Sequence, residues 1–388
     1  MDVLQFKELF SQEYGGNNKE PVHCFFSPGR VNLIGEHIDY NGGYVFPAAL
    51  SLGIYGAIRF RSDQLITLKS TNALPVIAVD LKQPILYKAE DGWANYPKGV
   101  IKHLLVDGHL LKGCDILLSG NLPDGAGLSS SAALLVLVTF MLRQAGGEKD
   151  IDRVQLAKFC QKVENQFMGV NCGIMDQFSV AMGRRETAIL LNCDTLHYKY
   201  TPFALEEYSL VIMNTNKKRE LAESKYNERR GECEQVLEII KGHCQVTSLC
   251  QVSLADIEAY VKDDILLRRA RHVISENNRV LLAVELLEKR DIIGFAKLMT
   301  QSHMSLKNDY EVTGLELDSI VENALKIPQC IGARMTGAGF GGCAIALVVT
   351  SKLEQFKTAV AQGYQKRTGL IPDFYAASIV DGVQSIEC

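Results

Sequence analysis

Apolar residues recur at helical spacing in some stretches and alternate in others, and the two periods divide the chain into elements. Val3–Tyr14 reads as an amphipathic helix stopped by Gly15-Gly16. Val22–Ser27, Tyr44–Ala48, Ser51–Arg61 and Ile66–Ser70 read as strands. Trp93–Leu105 reads as a helix, with Pro97 tolerable only in its first turn. A short strand, Asp115–Ser119, leads through a glycine-rich loop into a helix from Ser129 to Gln144, which Gly146-Gly147 stops. Asp152 caps a helix running to Met168, with Leu156, Phe159, Cys160, Val163 and Phe167 on one face.

The second half has a different texture. Strand Ser209–Asn214 precedes a charged helical stretch, Glu220–Lys241. Helices Ser253–Val261, Ile265–Glu288, Asp291–Gln301 and Leu315–Lys326 follow, then strand Cys343–Thr350, helix Ser351–Arg367 and strand Phe374–Val380. Ser351 and Glu354 have the spacing of a capping box. The pattern is that of an α+β chain in two domains, residues 1–205 and 206–388, divided near Thr201-Pro202. The first is mixed; the second is helix-rich with a small sheet.

Composition narrows the function. The 388 residues carry a net charge of −4, which argues against general polyanion or nucleic-acid binding. The basic runs Lys217–Arg219 and Arg268–Arg271 read as solvated helix ends. There are 11 cysteines, with no Cys-x-x-Cys pair and no zinc spacing against histidine. The first residues lack a basic stretch followed by an apolar one, so no signal peptide is read and a reducing cytoplasm is expected. The longest apolar run, Ala132–Leu142, is too short for a bilayer and reads as a buried helix. No membrane partner is expected, and no heptads point to more than a monomer or weak oligomer.

Three glycine-containing segments carry the candidate chemistry. Leu122–Ala132 follows a strand and opens a helix, and contains Gly125, Ala126, Gly127, Leu128 and the hydroxyls Ser129, Ser130 and Ser131. Free N–H groups and the dipole at a helix start favour an anion, so the segment suits phosphate. It lacks the lysine of a Walker loop and the third glycine of a dinucleotide fingerprint, and a tight turn with a serine cap is the alternative. Pro28–Gly43 places Arg30, Asn32, Glu36, His37, Asp39 and Asn41 within twelve positions, a density suited to fixing several hydroxyls. Arg30 there suits a phosphoryl group. A polar surface loop would look similar. Thr336–Gly342 holds glycines at 337, 339, 341 and 342, which implies close packing against a ligand or a neighbouring loop. Glu164 and Asp176 stand twelve apart across a break in helical period, and two acids in different surroundings can divide metal and proton work.

In this order and spacing the three segments resemble those of the GHMP small-molecule kinases. Gly29–Gly43 resembles the signature of the galactokinase branch, as do Cys172–Phe178 and Trp93–Tyr96. One departure is Ile38, where that signature commonly has Thr. The resemblance implies the two-domain GHMP kinase fold with its active site in the inter-domain cleft. It implies ATP-dependent phosphorylation of the anomeric hydroxyl of α-D-galactose, within galactose use by the Leloir route. The small-molecule partners are then galactose and ATP, with Mg²⁺ as cofactor. On matching positions it implies Asp176 and Arg30 as catalytic residues. Glu36, His37, Ile38, Asp39, Gly173 and Tyr226 are implied around the sugar, with Asp39 and Tyr226 reading the axial hydroxyl. Gly125 to Ser131, with Ser70 and Trp93, are implied around the nucleotide, and Ser131 and Glu164 at the metal. A kinase for a related sugar such as N-acetylgalactosamine, or a non-catalytic galactose and ATP sensor, are the alternatives.

Overall fold

The computed structural model describes residues 2–15, 20–123, 126–217 and 222–386. Helix α1 (Val3–Tyr14) begins on the side-chain cap of Asp2 and ends at Gly15, as its pattern predicts. Strand β1 (His23–Asn32) is longer than the alternation suggests and runs into the polar segment. Its register against the strand Pro47–Phe60 shifts between Pro28 and Arg30. Gly29 stands at that irregularity, and a Cβ there would lie 2.8 Å from the Leu128 carbonyl. A bulge with glycine thus lets the strand continue while the backbone of another loop comes close.

The chain continues through β2 (Tyr44–Val45), β3 (Pro47–Phe60), β4 (Leu65–Ser70), β5 (Ile77–Asp80), α2 (Asn95–Val106) and β6 (Cys114–Gly120). Pro97 does stand in the first turn of α2. Helix α3 (Ser130–Ala145) is buried continuously from Ala132 to Leu142, because apolar residues surround its axis on every side. It packs on β1 and β3 and against α4 (Arg153–Val163), which Asp152 caps, and α5 (Met175–Met182). Strands β7 (Thr187–Asn192) and β8 (Tyr198–Pro202) complete a small sheet with β2. The large sheet has order β13 (Gln384–Ser385)-β1-β3-β6-β4-β5, with only β4 and β6 parallel among its described pairings.

The second half begins with β9 (Tyr208–Asn214), α6 (Ala222–Lys241), α7 (Leu254–Tyr260), α8 (Asp264–Glu288), α9 (Ile292–Ser305) and α10 (Gly314–Leu325). Strands β10 (Cys330–Thr336) and β11 (Cys343–Val349), helix α11 (Leu353–Thr368) and β12 (Asp373–Ala377) follow. The antiparallel sheet β10-β11-β9-β12 is covered by these helices. The last strand, β13 (Gln384–Ser385), returns to pair with β1. The capping box does not form. A 3-10 turn over Thr350–Lys352 moves the start of α11 so that Lys352 holds the cap position, and Glu354 bonds Lys357 instead. Among the described residues no helix is long and apolar enough to cross a membrane.

Candidate functional site

The three glycine segments meet around one cavity of about 430 Å³. Strand β1 delivers Arg30 to it, and the turn beyond delivers Glu36, His37 and Asp39. Helix α3 contributes Ser131 from its first turn, and α5 contributes Asp176 from its own. Helix α4 ends in a π-turn over Glu164–Met168, and such a turn re-aims side chains out of helical phase. Glu164 faces the cavity from its first position. The loop 169–173 brings Gly173, and α6 brings Tyr226.

At one corner, Arg30 Nε and Nη2 both lie 2.9 Å from Asp176 Oδ1. The Ser129 hydroxyl donates to Asp176 Oδ2 at 2.6 Å. Ser129 stands just before α3, yet its side chain makes no cap hydrogen bond and its φ is 62°. Its hydroxyl serves the acid instead, which sets aside the reading of a simple serine cap. Arg30 Nη1 donates to the Gly127 carbonyl at 2.7 Å, and the Arg30 N–H to the Leu128 carbonyl at 3.1 Å. The guanidinium therefore holds both the acid and the glycine loop, and is itself 5% exposed. Beside this corner Glu164 is buried, and Gln177 Nε2 donates to it at 2.5 Å. Burial pushes the Glu164 carboxyl up, while the Ser131 hydroxyl and the Gln177 amide pull it down.

The other wall is aromatic and buried. His37 Nε2 is 3.1 Å from the Ala338 carbonyl and Nδ1 is 2.8 Å from the Tyr40 hydroxyl. A carbonyl only accepts, so Nε2 carries the proton and Nδ1 accepts from Tyr40. Tyr310 then donates to Tyr40 at 2.8 Å, and the Cys233 thiol donates to Tyr310 at 3.1 Å. Burial lowers the His37 pKa to about 3, so the ring is neutral. Tyr226 packs against His37 and Tyr40 with ring centres 5.6 and 5.4 Å away. Asp39 lies against Gly173, where a Cβ would come 2.2 Å from Asp39 Oδ2. Burial, then the charges of Asp176 and Glu36, raise the Asp39 pKa to about 7.

Not every residue singled out from the sequence lines this cavity. Ile38, placed among the sugar contacts, is fully buried in the core and is not among the residues lining the cavity. Asn32 and Asn41 serve the backbone: Asn32 Oδ1 accepts the Phe46 N–H, and Asn41 Nδ2 donates to the His37 carbonyl. Ala126 and Leu128 are buried in the core, so only their backbones remain for a phosphate. Gly125 lies outside the described residues. Ser130 is exposed at the start of α3. Ser70 and Trp93 do not line the cavity. The Ser70 hydroxyl accepts the Asn72 N–H, and the buried Trp93 indole N–H has no partner among the described residues. Sequence reasoning missed Gln177 behind Glu164 and Tyr40 behind His37, although both stand inside segments it singled out. It also missed Tyr310, which no local motif marks.

For a divalent cation, Ser131 and Glu164 offer two hard oxygen donors side by side. No cluster of three or more His, Cys, Asp or Glu with metal-binding geometry exists among the described residues. A two-oxygen protein contribution suits Mg²⁺, which keeps its waters and takes phosphate oxygens. A buried carboxyl pushed up by desolvation is also one that a cation would favour.

Comparison with known proteins identifies the family. Residues 8–60 match the galactokinase galactose-binding signature. Residues 95–184 match the GHMP kinases N terminal domain and residues 283–366 the GHMP kinases C terminal domain. The chain is 51% identical to the galactokinase of Clostridium tetani, with 100% of this chain and 98% of that protein covered. It is 47% identical to the galactokinase of Fusobacterium nucleatum, covering 99% of both. The crystal structure of Lactococcus lactis galactokinase complexed with galactose superposes with a TM-score of 0.94 at 44% identity, over 99% of this chain and 100% of that one. The mevalonate kinase of Methanococcus jannaschii shares the fold, with a TM-score of 0.68 at 19% identity over 94% of this chain and 100% of that one.

Proposed function

The chain belongs to the galactokinase family of the GHMP kinases, and from that premise we infer that it phosphorylates galactose with ATP as co-substrate. The acceptor is the anomeric hydroxyl of α-D-galactose, and the products are galactose 1-phosphate and ADP. The observation that carries this reading is the Arg30–Asp176–Ser129 corner opening into the same cavity as Asp39, Gly173 and Tyr226.

The sugar's O1 attacks the γ-phosphorus of ATP, the bridging P–O bond to ADP breaks, and the hydroxyl proton leaves. Such a transfer needs alignment and neutralised charge more than covalent help. Asp176 has a carboxylate's several acceptor positions, of which Arg30 and Ser129 take only part. It orients the attacking hydroxyl and accepts its proton. Arg30 places a fixed positive charge beside the transferring phosphoryl, and the start of α3 presents backbone N–H groups to the nucleotide phosphates. Ser131 and Glu164 would hold Mg²⁺, which would supply positive charge against the phosphates. Asp39 and Tyr226 contact the sugar, and the axial hydroxyl that separates galactose from glucose is theirs to read. The His37 ring lines the cavity, but both its nitrogens are engaged by protein groups, so it shapes the wall rather than bonding the sugar. Described cysteines that are all free suit a cytoplasmic enzyme, and the division near residue 205 separates the two lobes of the cleft.

The test is ADP release with Mg·ATP and galactose, glucose, N-acetylgalactosamine or no sugar. Release with galactose alone is expected, and a chelator should abolish it. Release with N-acetylgalactosamine in place of galactose would move the substrate. Binding of ATP and galactose without release would make the chain a sensor.

A further inference from the structure

Two neighbouring residues of the first segment grip the third. Glu36 Oε1 accepts the Gly337 N–H at 2.8 Å and the Thr336 hydroxyl at 3.0 Å, with Arg334 Nη1 at 3.5 Å. His37 donates to the Ala338 carbonyl one residue further on. Thr336 and Arg334 are fully buried and do not line the cavity. Arg334 Nη1 also donates to the Asn32 carbonyl at 2.9 Å, and the Thr336 oxygen lies 3.1 Å from the same carbonyl. The grip is backed by α8, where Glu276 Oε1 accepts the Gly35 and Glu36 N–H groups at 2.9 and 3.3 Å.

The third segment in turn lies on the phosphate loop. Gly337 has φ +85°, and a Cβ on it would stand 3.2 Å from the Gly127 carbonyl. That same carbonyl accepts Arg30 Nη1, and Arg30 forks onto Asp176. A displacement of Gly337 therefore reaches the phosphate loop and the catalytic guanidinium through one shared oxygen.

We propose that Thr336 and Arg334 are positioning residues for phosphoryl transfer: through Glu36 and Gly337 they set the place of the Gly127 carbonyl, and so couple the sugar segment to the nucleotide loop. The proposal rests on the reading of the cavity as the galactose and ATP site. The physical basis is the buried Glu36 carboxylate. Deprived of the Thr336 hydroxyl, its Oε1 loses one of its two close donors and keeps the Gly337 N–H, with Arg334 Nη1 at the edge of reach, so the carboxylate shifts toward the donors that remain. Gly337 moves with it.

Thr336→Val removes the hydroxyl with little change of shape, and Thr336→Ser keeps it. In Thr336→Val, kcat is expected to fall about tenfold, the scale of one hydrogen bond to a buried charge. Equilibrium ATP binding, measured without turnover, should weaken severalfold, while the galactose KM stays within about twofold. Thr336→Ser should restore all three. If Thr336→Val does not fold, Arg334→Lys, which keeps the charge, is read in the same way. A rise in galactose KM with kcat and ATP binding unchanged would overturn the proposal. So would a kcat that falls only with the folded fraction while ATP binding and both KM values stay put. Failure of the unaltered chain to phosphorylate galactose would overturn the functional reading instead, and ATP binding by Thr336→Val would still decide the coupling.

Discussion

Asp176 and Asp39 are both acids on one cavity, but their surroundings are opposite. Asp176 is held on one oxygen by two nitrogens of Arg30 and on the other by the Ser129 hydroxyl. Asp39 has no Arg or Lys paired to it among the described residues, and the charges that act on it most, those of Asp176 and Glu36, are also acidic. The first acid is fixed before any substrate arrives. The second has no such partner, and on the proposed reading sugar hydroxyls would supply the donors that complete it. Preorganised charge lowers a barrier, whereas a group completed by the ligand contributes to binding. The reacting corner should therefore show its losses in kcat and the sugar wall in KM.

The sharpest test of that division is Asp176→Ala. It removes the acceptor of the hydroxyl proton and leaves Arg30 without its partner. Turnover should fall by about 10²-fold or more, the scale for loss of a general base. Steady-state ADP release at saturating galactose measures it. Near-normal turnover would take Asp176 out of the reaction and dissolve the comparison.

Gly173→Ala probes the other side with a single methyl. The glycine has no positive φ, so its backbone accepts alanine without strain. The added Cβ would nevertheless lie 2.2 Å from Asp39 Oδ2, and the carboxylate must move. Overpacking of this kind is expected to raise the galactose KM by about 10-fold to 100-fold, with kcat at saturation changed by less. If kcat fell as far as KM rose, the sugar wall and the reacting corner would be one unit rather than two.

The two regions also differ in how far the sequence revealed them. Local signals were sufficient for α1, for the buried helix α3 and for the Asp152 cap of α4, because each rests on residues within one or two turns. The turn of helix at Met175–Met182 was unread, since glycines and a short length obscure its period. Strands β7, β8 and β10 pair with near neighbours in the chain, β7 with β8 and β10 with β11, but buried and exposed positions do not alternate cleanly along them, so they leave no period-2 signal. The reacting corner was legible as a set of residues, but the Ser129 bond to Asp176 spans 47 positions and leaves no periodic trace. Glu36 shows the limit most clearly. It reads as a sugar ligand, yet one of its oxygens is occupied by Thr336 and Gly337, 300 and 301 positions later.

The smallest expected effect comes from pH. Burial and two neighbouring acids raise the Asp39 pKa to about 7, above the range of an exposed carboxyl. If its ionised form accepts the sugar hydroxyls, as proposed, galactose binding should weaken as pH falls through 7. Between pH 8 and 6.5 the ionised fraction drops about fourfold, and the galactose KM should rise by about that factor. His37 is held neutral with its pKa near 3, so it does not titrate in this window. The stability of the free enzyme must move the opposite way. A carboxyl whose pKa is raised by folding binds more protons in the native state, so its contribution falls as pH rises from the unfolded value toward 7. Galactose, by completing the carboxylate, should recover that loss, and the thermal shift it produces should grow from pH 6.5 to pH 8. Asp39→Asn keeps the size and removes the titration. In that variant the galactose KM should be raised and flat across the window, while kcat keeps whatever pH dependence the reacting corner gives it. A KM that still changed about fourfold in Asp39→Asn would assign the titration to another group and leave Asp39 as fixed as Asp176.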